Sequence, residues 1–215
     1  MPEFLNLSLS MYDGVGEMDI PVIQPVYELP KIDIWLEFEK AKRLRTKPQK
    51  AGVHFFEYDF KFESVWNFPD RYADVLSAYD CILSPDFSMY VDFPKAVRIF
   101  NKYRNHWISA YWQEKGLTVI PVIRPGAEED WDTWGFDGYP THSIVAVSNI
   151  GCNQRKDAKL FWRRGYEKML ETLEPSEILV YTNSFDYLPG NVHYIKYDID
   201  KHIEGIDDVE EEDDG

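Results

Sequence analysis

Asp59, Asp86 and Arg124 are the residues of this sequence whose types and placement could do chemistry. Each stands at the end of an apolar run. Asp59 follows Val53-His54-Phe55-Phe56-Glu57-Tyr58, Asp86 follows Cys81-Ile82-Leu83-Ser84-Pro85, and Arg124 follows Leu117-Thr118-Val119-Ile120-Pro121-Val122-Ile123. Two carboxylates brought together can work as acid and base, or can share a hard cation such as Mg²⁺. A guanidinium at the end of a buried strand needs an anionic partner. For Arg124 that partner is either a neighbouring carboxylate, Asp59 or Asp86, or the phosphate or carboxylate of a ligand.

The same kind of position recurs along the chain. Ser84 and Ser88 bracket Asp86 in Ser84-Pro85-Asp86-Phe87-Ser88, Asn149 follows the run 143–147, and Asn183 follows the run 178–181. All four read as hydrogen-bonding groups for a ligand. The loop 126–138, GAEEDWDTWGFDG, sets Trp131, Trp134 and Phe136 among acids. Either it closes over the site and excludes water, with Trp131 and Trp134 against the ligand, or it is packed by its own rings. Gly151-Cys152-Asn153 lies between a strand and a helix, where free backbone N–H groups bind anions, although Asn153 also reads as a simple N-cap.

Several chemistries are not expected. The histidines His54, His106, His142, His193 and His202 show no zinc-ligand spacing. No G-x-G-x-x-G or Walker A sequence is present, so neither NAD nor a P-loop nucleotide is predicted. Cys81 and Cys152 form no Cys-x-x-Cys pair and read as reduced thiols.

These ends share one edge only if the runs are parallel strands joined by helices. Residues 20–26 read as a short edge strand because of their two prolines, and 34–44 as a helix with Trp35, Phe38 and Lys42 on successive turns. Strands are predicted at 52–58, 79–84, 117–123, 142–148, 178–181 and 192–197, with helices at 69–78 and 156–173. Pro94 opens a long helix that Gly116 ends, with Ala96, Phe100, Tyr103, Trp107, Ala110 and Tyr111 as its buried face. This alternation predicts an α/β fold, either a parallel-stranded doubly wound sheet or an incomplete (β/α) barrel with alternating helices. In both, ligands bind at the carboxyl ends of the strands. One domain is expected over 20–203, after an irregular arm at 1–19 and before an acidic disordered tail at 204–215.

The 215 residues carry 38 acids and 23 bases, a net charge of −15. Residues 207–215 hold seven acids and no base, so the rest remains acidic, with 31 acids against 23 bases. Such a surface repels a phosphate backbone, which disfavours non-specific duplex binding. The concentrated basic stretch is Lys40, Lys42, Arg43, Arg45, Lys47 and Lys50. It reads as a solvated helix end, with a phosphate contact as the alternative. Aromatic residues make up 16%. They serve as core, or in part as a stacking platform for a base or sugar. There is no signal peptide pattern and no apolar run long enough for a membrane span.

The stretches HFFEYDFKFESVWNFPDRY, LSPDFSMYVDFPKAVRIFNKYRN, YWQEKGLTVIPVIRP and FDGYPTHSIVAVSNIG resemble the family of bacterial and phage proteins known as domain of unknown function 4417. The resemblance covers roughly residues 20–190, and its most specific part is Ser-Pro-Asp-Phe-Ser followed by Asp-x-Pro and Asn-x-Tyr-Arg. It implies a phage or mobile-element setting in the cytoplasm of a bacterial host. The expected function is binding, or hydrolysis, of a small phosphorylated, nucleotide-like or sugar-like molecule at the strand ends. The alternatives are an acidic interaction protein that inhibits a basic host partner, and a replication or mobilisation accessory protein that uses the 40–50 basic stretch.

Overall fold

The computed structural model describes residues 5–150, 152, 156–182 and 187–196. Its strands pair in chain order and entirely in parallel. β1 (Ile34–Glu37), β2 (Ala51–His54), β3 (Cys81–Leu83) and β4 (Val119–Ile120) form one sheet. β5 (Ile144–Ser148), β6 (Glu177–Thr182) and β7 (Val192–Lys196) form a second. Among the described residues one parallel bridge, Val122 to Ala146, joins the two. The break falls at Pro121, which has no N–H to give to a ladder. Ser84 spans it: its backbone N–H donates to Ile120 O at 2.8 Å and its Oγ accepts the Val122 N–H at 2.8 Å.

The sheets curve around a shared interior. Cys81 and Leu83 of β3, Ile120 and Val122, Ile144 and Ala146 of β5, Leu179 and Tyr181 of β6, and Ile195 of β7 form one buried cluster, with Trp35 packed against it. His54 at the end of β2 meets the Tyr181 ring of β6 at 4.5 Å. In a flat sheet, strands four places apart would stand roughly 19 Å away from each other. The chain-order pairing and this cross-contact select the incomplete barrel over the doubly wound sheet. Among the described residues no strand closes β7 onto β1. Gly52 permits part of this packing: a Cβ there would lie 2.5 Å from the Trp35 ring.

Helices cover the outside. α1 (Phe38–Ala41), α2 (Asp59–Phe62), α3 (Ser64–Asn67), α4 (Pro69–Leu76) and α5 (Lys95–Glu114) pack with β1 and β2 around Phe38, Phe55, Phe62, Trp66, Trp107 and Trp112. α6 (Lys156–Leu173) and the 126–139 loop cover β5 and β6 through Trp131, Tyr166 and Met169. α5 begins beside Pro94 and ends as expected. Gly116 takes φ +88°, and Leu117 N–H returns to Trp112 O at 3.0 Å.

Three expectations are corrected. Residues 34–44 are not a helix but β1 followed by one helical turn, since pairing Ile34–Glu37 against β2 and burying Leu36 outweighs the helical spacing of Trp35, Phe38 and Lys42. Residues 20–26 form no strand beyond a bridge of Ile20 to Val15. With prolines at 21 and 25 they run extended instead, held by Ile23 N–H to Gly138 O (2.9 Å) and Ile144 N–H to Val26 O (2.8 Å). The third concerns α5, whose expected apolar face supplies only Trp107, Ala110 and Tyr111 of the residues it buries. Ala96 is exposed, while Arg98, Asn101, Lys102, Asn105, His106 and Ser109 are buried. The tail at 204–215 lies outside the described residues.

Candidate functional site

Asp86 and Arg124 sit just past the carboxyl ends of β3 and β4 and grip each other side-on. Arg124 Nε donates to Asp86 Oδ1 at 2.5 Å and Nη2 donates to Oδ2 at 2.6 Å. Asp86 is buried, whereas the Arg124 side chain keeps 36% of its exposure. Burial pushes the Asp86 carboxyl up from its ordinary range, Arg124 pulls it back down, and the nearby Asp59 charge pushes it up again. Burial works against the Arg124 charge, but the Asp86 carboxylate outweighs it, so the guanidinium holds its proton more tightly. Arg124 N–H also donates to the Tyr139 hydroxyl at 3.1 Å. Among the described residues, no partner is seen for Nη1.

Asp59 opens α2 and reaches across to the loop after β3. It accepts Ser88 Oγ at 2.8 Å and Ser88 N–H at 3.1 Å. Ser84 is buried in the β3–β4 ladder and Ser88 is half-buried beside Asp59. Asn149, past β5, is 5% exposed, and its Oδ1 has no hydrogen-bond partner among the described residues. Cys152 closes a turn onto Asn149 through a 3.1 Å backbone hydrogen bond. Burial raises its thiol pKa, and Arg124 opposes the rise. Asn183, Gly151 and Asn153 lie outside the described residues. The rim thus brings Asp59, Asp86, Arg124, Ser84 and Ser88 together at the ends of β2, β3 and β4, with Asn149 at the end of β5.

The tryptophans are placed differently. Trp131 and Trp134 are 8% and 1% exposed, and Trp131 packs on Phe161 and over Gly165 of α6. Their loop is pinned to α5. Arg98 donates Nε and Nη2 to the fully buried Asp130 at 2.9 and 3.1 Å, and Lys102 Nζ donates to Gly135 O at 3.0 Å. Lys102 also lies 4.0 Å over the Tyr139 ring and 3.3 Å from His106 Nε2. Since Pro21 O can only accept, His106 Nδ1 carries the proton of their 2.9 Å hydrogen bond, and Nε2 accepts from Lys102. Burial first, then its neighbour's charge, holds His106 well below its usual range.

The basic stretch is largely engaged. Glu39 pairs with both Lys42 and Arg43, Lys47 Nζ donates to Ala41 O at 2.8 Å, and Lys50 stands 3.6 Å from Asp33. A groove of about 710 Å³ opens at the opposite end of the barrel, where β4 starts, lined by Tyr12, Asp13, Tyr27, Glu28, Gln113 and Glu114 among others. Among the described residues no three His, Cys, Asp or Glu side chains group as metal ligands do. No helix among them is long and apolar enough to cross a membrane.

The family profile described as Domain of unknown function (DUF4417) matches residues 12–198, nearly the whole of this architecture. The chain belongs to the domain of unknown function 4417 family. It is 32% identical over 181 residues to the Gene 1 protein of Mycobacterium phage L5, covering 83% of this chain and 77% of that protein. It is 31% identical over 182 residues to the Gene 1 protein of Mycobacterium phage D29, covering 83% of this chain and 65% of that protein, just under two thirds of its length. The family is therefore phage-associated. No solved structure matches the chain.

The domain of unknown function 4417 segments quoted above meet in space. Asn105 clasps the Phe87 backbone, accepting its N–H at 2.8 Å and donating to its O at 3.3 Å. Asn101 donates to Ser88 O at 2.6 Å, and Arg104 donates to Asn101 Oδ1 at 2.8 Å and to Glu63 at 2.7 Å, with its guanidinium 3.7 Å over the Phe87 ring. Burial lowers the Arg104 pKa, with Glu63 opposing. The Asn-x-Tyr-Arg stretch thus fixes the Ser-Pro-Asp-Phe-Ser backbone that carries Asp86. The reading of single residues missed this role. The available signal was two polar rows of helical period four on α5, Asn101-Asn105-Ser109 and Arg98-Lys102-His106.

Proposed function

We propose that this protein binds a small phosphorylated ligand, as its Mg²⁺ complex, at the rim where β2, β3 and β4 end. One observation carries the reading. Arg124 is oriented by a buried carboxylate yet still accessible, which is how a guanidinium is prepared for phosphate. The charges specify the form of the ligand. Asp59, Asp86 and Arg124 together carry −1 when ionised, so a bare phosphate would meet net repulsion. A phosphate that brings its own divalent cation would not, and one or two carboxylates plus substrate phosphates are the usual setting for Mg²⁺. Asp59 is the carboxylate for the metal, since Asp86 is already held side-on. Both carboxylates are engaged by neighbours, so the geometry supports binding rather than bond cleavage.

Calorimetric titration and thermal shift with nucleoside and sugar phosphates, with and without Mg²⁺, test this. Binding that needs Mg²⁺, weakens at least tenfold in Arg124→Lys, and weakens in Asp59→Asn is expected; a ligand at 100 times its dissociation constant adds about 2.7 kcal/mol of stability. Binding unchanged in both variants would overturn the reading.

A second reading, an acidic interaction protein, is supported by the groove at the amino ends. Three carboxylates, Asp13, Glu28 and Glu114, line it with no lysine or arginine. A basic partner segment would find complementary charge there.

A further inference from the structure

The rim also carries rings that the phosphate reading does not use. Tyr58 and Phe60 flank Asp59 in sequence and are 72% and 77% exposed, among the most open large apolar side chains of the protein. Their rings lie nearly parallel, 10° apart with centroids at 5.8 Å. Tyr90, also exposed, stands on the loop after β3, two residues beyond Ser88. Tyr58, Phe60 and Tyr90 belong to the connections that leave the carboxyl ends of β2 and β3. Exposing them costs hydrophobic free energy that turning them inward would recover, and the chain buries most of its other rings.

We infer that the ligand of the rim is a nucleotide, its base stacking on the Tyr58–Phe60 pair while its phosphate meets Arg124; this rests on the phosphate-binding reading above. The covalent order of the chain supports the arrangement. Asp59, between the two rings, touches Ser88, and Ser88 is two residues from Asp86, which holds Arg124. Through Asp59 and Ser88 on one side and Asp86 on the other, the residues carrying the rings and the phosphate anchor are tied to the same short Ser-Pro-Asp-Phe-Ser segment. A sugar phosphate would use the anchor and leave the rings bare. A long single strand would also stack, but its polyanionic backbone would oppose the net charge of −15.

The experiment compares the four nucleoside 5′-monophosphates, ribose 5-phosphate and a ten-residue oligothymidylate, each with Mg²⁺, on the full chain. Both rings are exposed, so Phe60→Ala, Tyr58→Ala and Tyr58→Phe should fold normally. At least one nucleoside monophosphate should bind more tightly than ribose 5-phosphate. Phe60→Ala and Tyr58→Ala should each weaken that nucleotide by at least roughly fivefold, the lower end of the worth of a base–aromatic stack. They should leave ribose 5-phosphate unchanged, and Tyr58→Phe should retain nucleotide affinity. Equal binding of ribose 5-phosphate and every nucleotide overturns the inference and leaves the phosphate reading standing. Failure of every phosphate to bind overturns both. Tighter binding of the oligonucleotide than of any mononucleotide replaces the single nucleotide with a strand and overturns the assignment made here.

Discussion

His54 shows what a single side chain contributes at this rim. It is 3% exposed, its ring lies on Phe56 and Tyr181, and its Nδ1 accepts the Phe56 N–H at 3.4 Å, so the proton of the neutral ring sits on Nε2. Burial pushes its pKa down to about 3. A histidine with a depressed folded value binds fewer protons folded than unfolded. Its contribution to stability is therefore fully present above the unfolded value of roughly 6.5 and is lost as pH falls towards 3. His106, likewise depressed, acts with the same sign. Each group should steepen acid destabilisation by about 1.4 kcal/mol per pH unit. His54→Phe keeps a ring against Tyr181 and removes one titrating group, so denaturant melts at pH 7, 6 and 5 should show a shallower decline than wild type by about that slope. Identical slopes would show that His54 takes up its proton as readily in the folded protein as in the unfolded chain.

At the scale of elements, the 126–138 loop is tied to α5 by hydrogen bonds from Arg98 and Lys102. Asp130 is fully buried, accepts two hydrogen bonds from Arg98, and also accepts the Ala127 N–H at 2.9 Å. Removing one partner of a buried pair leaves the other charge uncompensated. Asp130→Ala should cost roughly 3–5 kcal/mol in denaturant unfolding, against less than about 1 kcal/mol for a surface pair such as Lys50 with Asp33. A cost in the surface range would mean the loop moves freely and would favour the closing-lid expectation. Neither Trp131 nor Trp134 would then need to stay in the packing where the structure buries them.

For the whole molecule, the open barrel has a consequence that hydrogen exchange can read. Among the described residues β1 pairs only with β2, and β7 only with β6, whereas β2, β3 and β6 are paired on both sides. Edge strands open at lower free-energy cost than central ones. Amides of Ile34–Glu37 and Val192–Lys196 should exchange before those of Ile178 to Tyr181. Equal protection of β1 and β6 would mean that the barrel is closed in solution.

The order of elements was legible because burial on both faces writes itself as continuous apolar runs, and because prolines and glycines punctuate them. Lys156–Leu173 and the Gly116 terminus are cases where local physics suffices. Asp59, Asp86 and Arg124 were legible for the same reason, as charges ending apolar runs. β1 was not legible, since Trp35, Phe38 and Lys42 have helical spacing, and only the partner strand at 51–54 outbids it. Nor was the polar half of α5, because a row of Asn, Lys and His looks solvated until its partners arrive from residues 21, 87, 88, 130 and 135. Local pattern points to Asp59, Asp86 and Arg124 as candidates and to parallel strands beneath them, because periodicity and composition are local properties. Tertiary structure alone decided that Arg124 closes on Asp86, that Asp59 holds Ser88, and that the tryptophans pack inward while Tyr58 and Phe60 face out. Those outcomes depend on distances between segments far apart in the chain, and no local pattern encodes them.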